Sequence, residues 1–313
     1  MTTSRRSVLT GLAAFASLPF AGALADSRQA TPRPAPGDSD PLPVQRLTDR
    51  ISVITGAPGN VIVHASGDGL VLVDSGSAEL AAAVQGSLDG APVRTLINTH
   101  HHADQTGGNA LFASTGAEIH AHAITRQWLA TDHYVPAEDR WVRALPREAV
   151  PTVTFRKTGR IAAGSERIDC GYLLAAHTLG DIYVHFRDSN VLAVGDAASP
   201  VLDPVHDWYA GGWFGGRLDA LETLLGIAEE HTRIVPAYGP VMTRAQLQAE
   251  YEVMLHLYDR TAHLTANGHS ARDMLEAGVL DEVDRTFDDP YRFLYDVAKG
   301  YQAHYTNVGV NVV

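Results

Sequence analysis

Four short apolar runs in this chain each stop at a residue that can bind a metal or carry a proton. Residues 70–73 end at Asp74, and 93–97 lead through Asn98 and Thr99 to His100. Residues 173–176 meet His177, and 191–194 pass through Gly195 to Asp196. Apolar runs of this length, bounded by turn residues, read as strands buried on both faces. Such strands need cover on each side, which calls for a layered α/β architecture. The chemistry of the chain then sits at strand ends.

The rest of the pattern fits that frame. Residues 51–55 and 61–64 read as strands around a turn at Ala57-Pro58-Gly59-Asn60, with further strands at 118–121, 182–186 and 234–235. Helices are expected over 78–88 and 109–114. A longer amphipathic helix is expected over 217–230, where Leu218, Leu221, Leu225 and Ala228 share one face. Beyond residue 241 the chain turns helical. Thr243 with Gln246, and Ser270 with Asp273, have the form of capping boxes. Leu247, Tyr251, Met254 and Tyr258 recur at helical spacing, Asn267-Gly268 ends that helix, and Pro290 opens the last one. The expected organisation is a domain over 45–241, in which two sheets pack together under outer helices. A helical extension over 242–313 packs on it.

Composition narrows the partners. With 24 Lys+Arg against 36 Asp+Glu, the net charge of −12 disfavours a nucleic-acid backbone as ligand. The single cysteine, Cys170, excludes an internal disulfide and a cysteine-rich zinc site, and its apolar surroundings predict a buried thiol. The first residues carry the pair Arg5-Arg6, an apolar stretch, and Ala23-Leu24-Ala25 before Asp26. This reads as a twin-arginine export signal over 1–25, with a membrane anchor as the alternative that Thr10, Ser17 and Pro19 weaken. Export of the folded chain to the periplasm or beyond suits a protein that takes up its metal in the cytoplasm. Pro-rich residues 26–44 read as a linker. The mature chain is expected to have no membrane span and to act on a small molecule.

The densest signal is Asn98-Thr99-His100-His101-His102-Ala103-Asp104-Gln105, followed by Gly107-Gly108. His100 and His102, two positions apart at a strand end, can face one point, and neutral imidazole suits zinc. Asp104 falls where a helix begins, so its carboxylate can cap the helix or point at the metal. His177 is the third imidazole candidate and Asp196 a fourth ligand. Any one of these alone is an ordinary strand-end residue; together they define a catalytic-type site of three protein ligands with an open position.

These motifs resemble the metallo-β-lactamase-fold hydrolase superfamily over roughly residues 45–240. The stretch 71–74 resembles its first motif. Thr99 to Asp104 resembles its T-H-x-H-x-D-H signature, and His177 and Asp196 resemble its later histidine and bridging aspartate. The resemblance implies an αβ/βα four-layer sandwich of two mixed β-sheets with outer helices. One metal would sit on His100, His102 and His177, and a second on Asp104, two further histidines and a shared Asp196. This chain departs at both of those histidines, which are Gln105 and, in Pro236-Ala237-Tyr238-Gly239, Tyr238. An amide oxygen is a poor zinc ligand. A phenol binds only as phenolate, from a free pKa of ~10. One tightly bound zinc is therefore expected, with the second position weak or empty.

In that setting Asp104 orients or deprotonates water. Tyr238 either donates a hydrogen bond to the reacting group or fills the vacated position. Gln105 orients a neighbour, Asp74 is a structural carboxylate below the site, and Asp196 ligates the zinc, its water or a ligand histidine. His101 is expected to point away from the metal. His120, His122 and His185 are expected to be structural. His206, Trp208 and Trp213, with Asp207 and Tyr209, are candidates for the substrate mouth or for core under the helical tail. His133 and Tyr134, ahead of Trp141, are lid candidates. The leading function is an exported zinc hydrolase of a small ester, thioester, lactone or amide. The alternatives are a mononuclear iron oxygenase using His100, His177 and Asp196, and a non-catalytic metal-binding accessory protein.

Overall fold

The computed structural model describes residues 40–135 and 139–307. The expected export signal and residues 26–39 of the expected linker lie outside the described residues. The end of that linker already belongs to the fold, because Leu42 packs against the first helical layer and its N–H donates to Ser87.

Seven strands form the first sheet, side by side in the order given: β1 (Val44–Arg46), β2 (Ile51–Ile54), β3 (Val61–Ser66), β4 (Gly69–Val73), β5 (Val93–Ile97), β6 (Glu118–His122) and β9 (Val153–Phe155). Pairing is antiparallel up to β4 and parallel beyond it. A separate hairpin pairs β7 (His133–Val135) with β8 (Arg140–Val142). The second sheet runs β10 (Thr158–Ala163), β11 (Glu166–Tyr172), β12 (Ile182–Phe186), β13 (Val191–Gly195) and β14 (Arg233–Pro236). Only its last pair is parallel. The helices are α1 (Ala81–Gly86), α2 (Ala103–Thr106), α3 (Asn109–Ser114), α4 (Ala123–Leu129), α5 (Phe214–Ile227), α6 (Arg244–Ala266), α7 (Ala271–Glu276) and α8 (Pro290–Asn307).

Successive strand residues point to opposite faces, and this sorts the apolar runs into layers. Val71 and Val73 of β4 meet Ile168, Val184, Phe186, Val191 and Ala193 of the facing sheet. Their neighbours Leu70 and Leu72 face Val84 of α1 and Phe112 of α3. On the other side, Leu192, Val194 and Ile234 pack under Leu221 and Leu224 of α5, Leu247 and Met254 of α6, and Leu294 of α8. The result is the helix, sheet, sheet, helix sandwich expected from sequence. Each fully buried Leu or Val contributes about 1.5–3 kcal/mol relative to exposure. The C-terminal helices are thus part of one continuous outer layer with α5. Both capping boxes form, at Thr243 with Gln246 and at Ser270 with Asp273. Among the described residues, no helix is long and apolar enough to cross a membrane.

One expectation fails. Residues 173–176 are not a strand but part of a turn, with Ala175 at φ +53°. The cause is the start of α5. A Cβ on Gly212 would lie 1.9 Å from the His177 carbonyl oxygen, and one on Gly216 would lie 2.0 Å from that of Ala175. These glycines let the helix entry press on the turn, and the Trp213 N–H donates to Ala175.

Candidate metal centre

The three imidazoles converge. His100 and His102 lie just beyond β5, with His102 at the N-terminal boundary of α2. His177 comes from the turn after β11, and Asp196 directly follows β13. His102 Nδ1 is 3.1 Å from His100 Nε2 and 3.0 Å from His177 Nε2. Asp196 Oδ2 lies 3.2 Å from His100 Nε2 and 3.8 Å from His177 Nε2. All four donors fall within 4.8 Å of one another. Ligands ~2.0–2.1 Å from a tetrahedral zinc stand about 3.3–3.4 Å apart, so the set fits such an ion.

The outer nitrogens explain why these rings face inward. His102 Nε2 donates to Asp207 Oδ2 at 2.8 Å, and His177 Nδ1 donates to the Val205 carbonyl at 2.9 Å. His100 Nδ1 lies 3.1 Å from Thr99 Oγ1, which donates in turn to Asp74 at 2.8 Å. Each outer nitrogen meets an acceptor and keeps its proton, so each inner nitrogen presents a lone pair. Lone pairs on His100 and His177, each about 3 Å from that of His102, repel it unless a cation lies between them.

The supports are as informative as the ligands. Asp74 is buried and accepts both the N–H and the hydroxyl of Thr99; burial pushes its carboxyl well above the usual range, against those two hydrogen bonds. Asp181, which the sequence reading passed over, accepts the N–H groups of His177 and Thr178 at 2.6 and 2.7 Å and the Thr178 hydroxyl at 2.6 Å. Burial raises its carboxyl to about 6. Asp207, which the sequence offers as either a mouth or a core residue, is in the fold the acceptor that fixes the His102 ring.

Asp104 is not among the four donors that lie within 4.8 Å of one another. Its Oδ2 accepts the Tyr238 hydroxyl and lies 3.5 Å from Gln105 Nε2. Gln105 is fully buried and lies against Gly59, where an added Cβ would come within 2.5 Å of its amide nitrogen. Asn60 ties this loop to the Tyr238 turn by donating to the Pro236 and Gly239 carbonyls, both at 2.9 Å.

Other candidates fall elsewhere. His206 is 1% exposed and packs against Phe214 and Phe293, so it belongs to the core and not to a substrate mouth. Trp213 stacks on His304 at 3.7 Å. With Trp208 it lines a cavity of about 450 Å³ whose walls include none of the four donors. His101 turns away and stacks on Trp128 at 5.0 Å, and burial drives its ring well below 6.5. His101, His102 and Asp207 also lie within 4.8 Å of one another, but there Asp207 holds the His102 proton. His133 packs on Trp128 at the base of the hairpin; Tyr134 and Trp141 are exposed. His120 pairs with Glu118, and His122 caps α4 while stacking on Tyr172. His185 is half-buried, and Cys170 is buried with its thiol pushed up to about 12.

Comparison with known proteins agrees with this geometry. Residues 54–237 match the family described as the metallo-beta-lactamase superfamily. The chain belongs to that superfamily. It is 26% identical over 275 residues to the 2,4-dinitroanisole O-demethylase subunit alpha of Nocardioides sp. (strain JS1661), covering 84% of this chain and 74% of that protein. It is 28% identical over 199 residues to the metallo-beta-lactamase type 2 of Bacillus cereus, covering 61% and 70%. A metallo-beta-lactamase structure from Pontibacter korlensis superposes with a TM-score of 0.54 at 18% identity, over 68% of this chain and 99% of that one, which shows the shared fold. The superfamily includes metal-dependent hydrolases, and membership implies metal binding at the His/Asp cluster.

Proposed function

We propose that the chain is a hydrolase working with a single zinc ion on His100, His102 and His177, with Asp196 alongside. Its substrate would be a small ester, thioester, lactone or amide. The observation that carries this reading is the set of outer hydrogen bonds that turns three imidazole lone pairs toward one point. A zinc ion there would polarise a carbonyl and lower the pKa of water from 15.7 to about 7.

The rest falls to the chain itself. Asp207, Val205 and Thr99 hold the rings in one tautomer. In this reading Asp104 takes the proton from the attacking water. The Tyr238 hydroxyl occupies one lone pair of Asp104 and fixes the direction of its other oxygen. That hydrogen bond also supports one ion over two, because the Tyr238 proton satisfies the carboxylate where a second cation would otherwise do so. The two-histidine iron reading leaves out His102 Nδ1, which sits as close to the other rings as any member of the set.

The test is a substrate panel on zinc-loaded full chain, with an aryl methyl ether added because one relative is named an O-demethylase. Asp104→Asn is expected to lower turnover by ~10²-fold or more while zinc stays bound. A fully loaded protein inactive on the whole panel would refute the hydrolase reading. Export by the twin-arginine route is part of the same proposal. It predicts a mature N-terminus at Asp26, and an uncleaved cytoplasmic chain in the native host would contradict it.

A further inference from the structure

Arg217, on the second turn of α5, is completely buried. An arginine in that position carries a heavy desolvation penalty unless its donors have fixed acceptors. Its Nη1 donates to the Ala197 carbonyl at 3.0 Å and more weakly to Ser199 Oγ at 3.4 Å; its Nη2 donates to the Val205 carbonyl at 2.9 Å. Val205 O is the same oxygen that accepts the His177 ring proton, and Ala197 is the residue after Asp196. One guanidinium therefore grips both ends of a loop whose two margins carry the metal site.

That loop, residues 197–207, has no α-helix or β-strand of its own. Side chains from the C-terminal part hold its middle. Glu250 of α6 accepts the Ser199 N–H at 2.7 Å, and Arg285 donates to the Ser199 and Leu202 carbonyls at 2.7 and 2.6 Å. Glu250 also supplies negative charge near Arg217. The three side chains thus divide the loop, and only Arg217 reaches the carbonyls that adjoin a ligand.

We propose that Arg217 is a positioning residue for the metal centre. It acts through Val205 on the His177 ring and through Ala197 on Asp196, and so makes the outer helical layer part of the metal site. This rests on the metal-centre reading above. A planar guanidinium holds its donors in a rigid fork wide enough to bridge two separated carbonyls, whereas the compact ammonium on its flexible stem fixes neither their spacing nor their direction.

The experiment uses the full chain and compares Arg217→Lys with Glu250→Gln. Zinc affinity is read by chelator competition, ligand geometry from the visible spectrum of the cobalt(II)-substituted protein, and fold stability from the metal-free Tm. Arg217→Lys is expected to weaken zinc binding about 10-fold or more and to alter the cobalt spectrum, in the range known for outer partners of ligands. Glu250→Gln is expected to lower Tm yet keep zinc affinity within about 3-fold of wild type, because both carbonyl contacts survive. If Arg217→Lys does not fold, Arg217→Gln carries the same comparison. Unchanged zinc affinity and cobalt spectrum in the Arg217 variant would overturn the inference. So would affinity losses that simply track Tm in both variants. Wild-type protein that takes up neither metal would overturn the metal-centre reading itself, and this inference with it.

Discussion

The His100–His102–His177 group and the Asp104–Gln105–Tyr238 group begin alike, as polar residues at the ends of buried strands or in the turns beside them. They end differently. On the first side every outer nitrogen has a protein acceptor, so the inner nitrogens are left facing one another and require a cation. On the second side polar groups also meet one another: the Tyr238 hydroxyl and the Gln105 amide are both directed at Asp104. The lesson is that a metal site is defined less by its ligands than by what holds the far side of each ligand.

The contrast can be broken most severely by His177→Ala. Metal affinity should fall by more than the ~10–100-fold that loss of an outer partner costs, measured by metal content after gel filtration. Retention of a full metal complement would move the site elsewhere. A sharper and smaller change is the double substitution Gln105→His with Tyr238→His. It removes the hydroxyl that satisfies Asp104 and supplies two imidazoles, so metal stoichiometry should rise from one toward two per chain. No rise would mean that the second side is closed by backbone geometry and not by side-chain chemistry.

The smallest effect concerns the core behind the first side. Burial, with the nearby Arg217 charge, holds His206 well below 6.5. The unfolded chain therefore takes up that proton first. The stability that neutral His206 provides is present above pH 6.5 and is lost as pH falls below it. The stability difference between wild type and His206→Gln, from denaturant unfolding of metal-free protein, should shrink on acidification. Its slope should be at most about 1.4 kcal/mol per pH unit. A difference independent of pH from 7 to 5 would show that the ring is accessible to protons.

Much of this was legible in sequence, for physical reasons. β5 and β12 are apolar runs with hard polar stops, and the caps of α6 and α7 are local hydrogen bonds between residues three apart. The converging histidines were legible because strand ends in a layered fold meet at one rim. Strands β10 and β11 were not read, because TGRIAA and ERIDCGY alternate weakly and pair through a turn without a strong apolar run. The turn at 173–176 was misread because its shape comes from α5, about 40 residues later. Asp207 lies 105 positions from the ring it holds, and Arg217 acts on backbone carbonyls, which leave no mark in a sequence. Asp181 did leave one: Thr178 and Asp181 follow His177 at the spacing of a turn whose carboxylate folds back on its own N–H groups.

The most direct measurement is the metal content of the protein folded in its native host, by elemental analysis against protein concentration. The account predicts close to one zinc per chain, lost in His177→Ala and unaffected by Tyr238→Phe. Two equally retained ions per chain, or a chain with none at all, would contradict it.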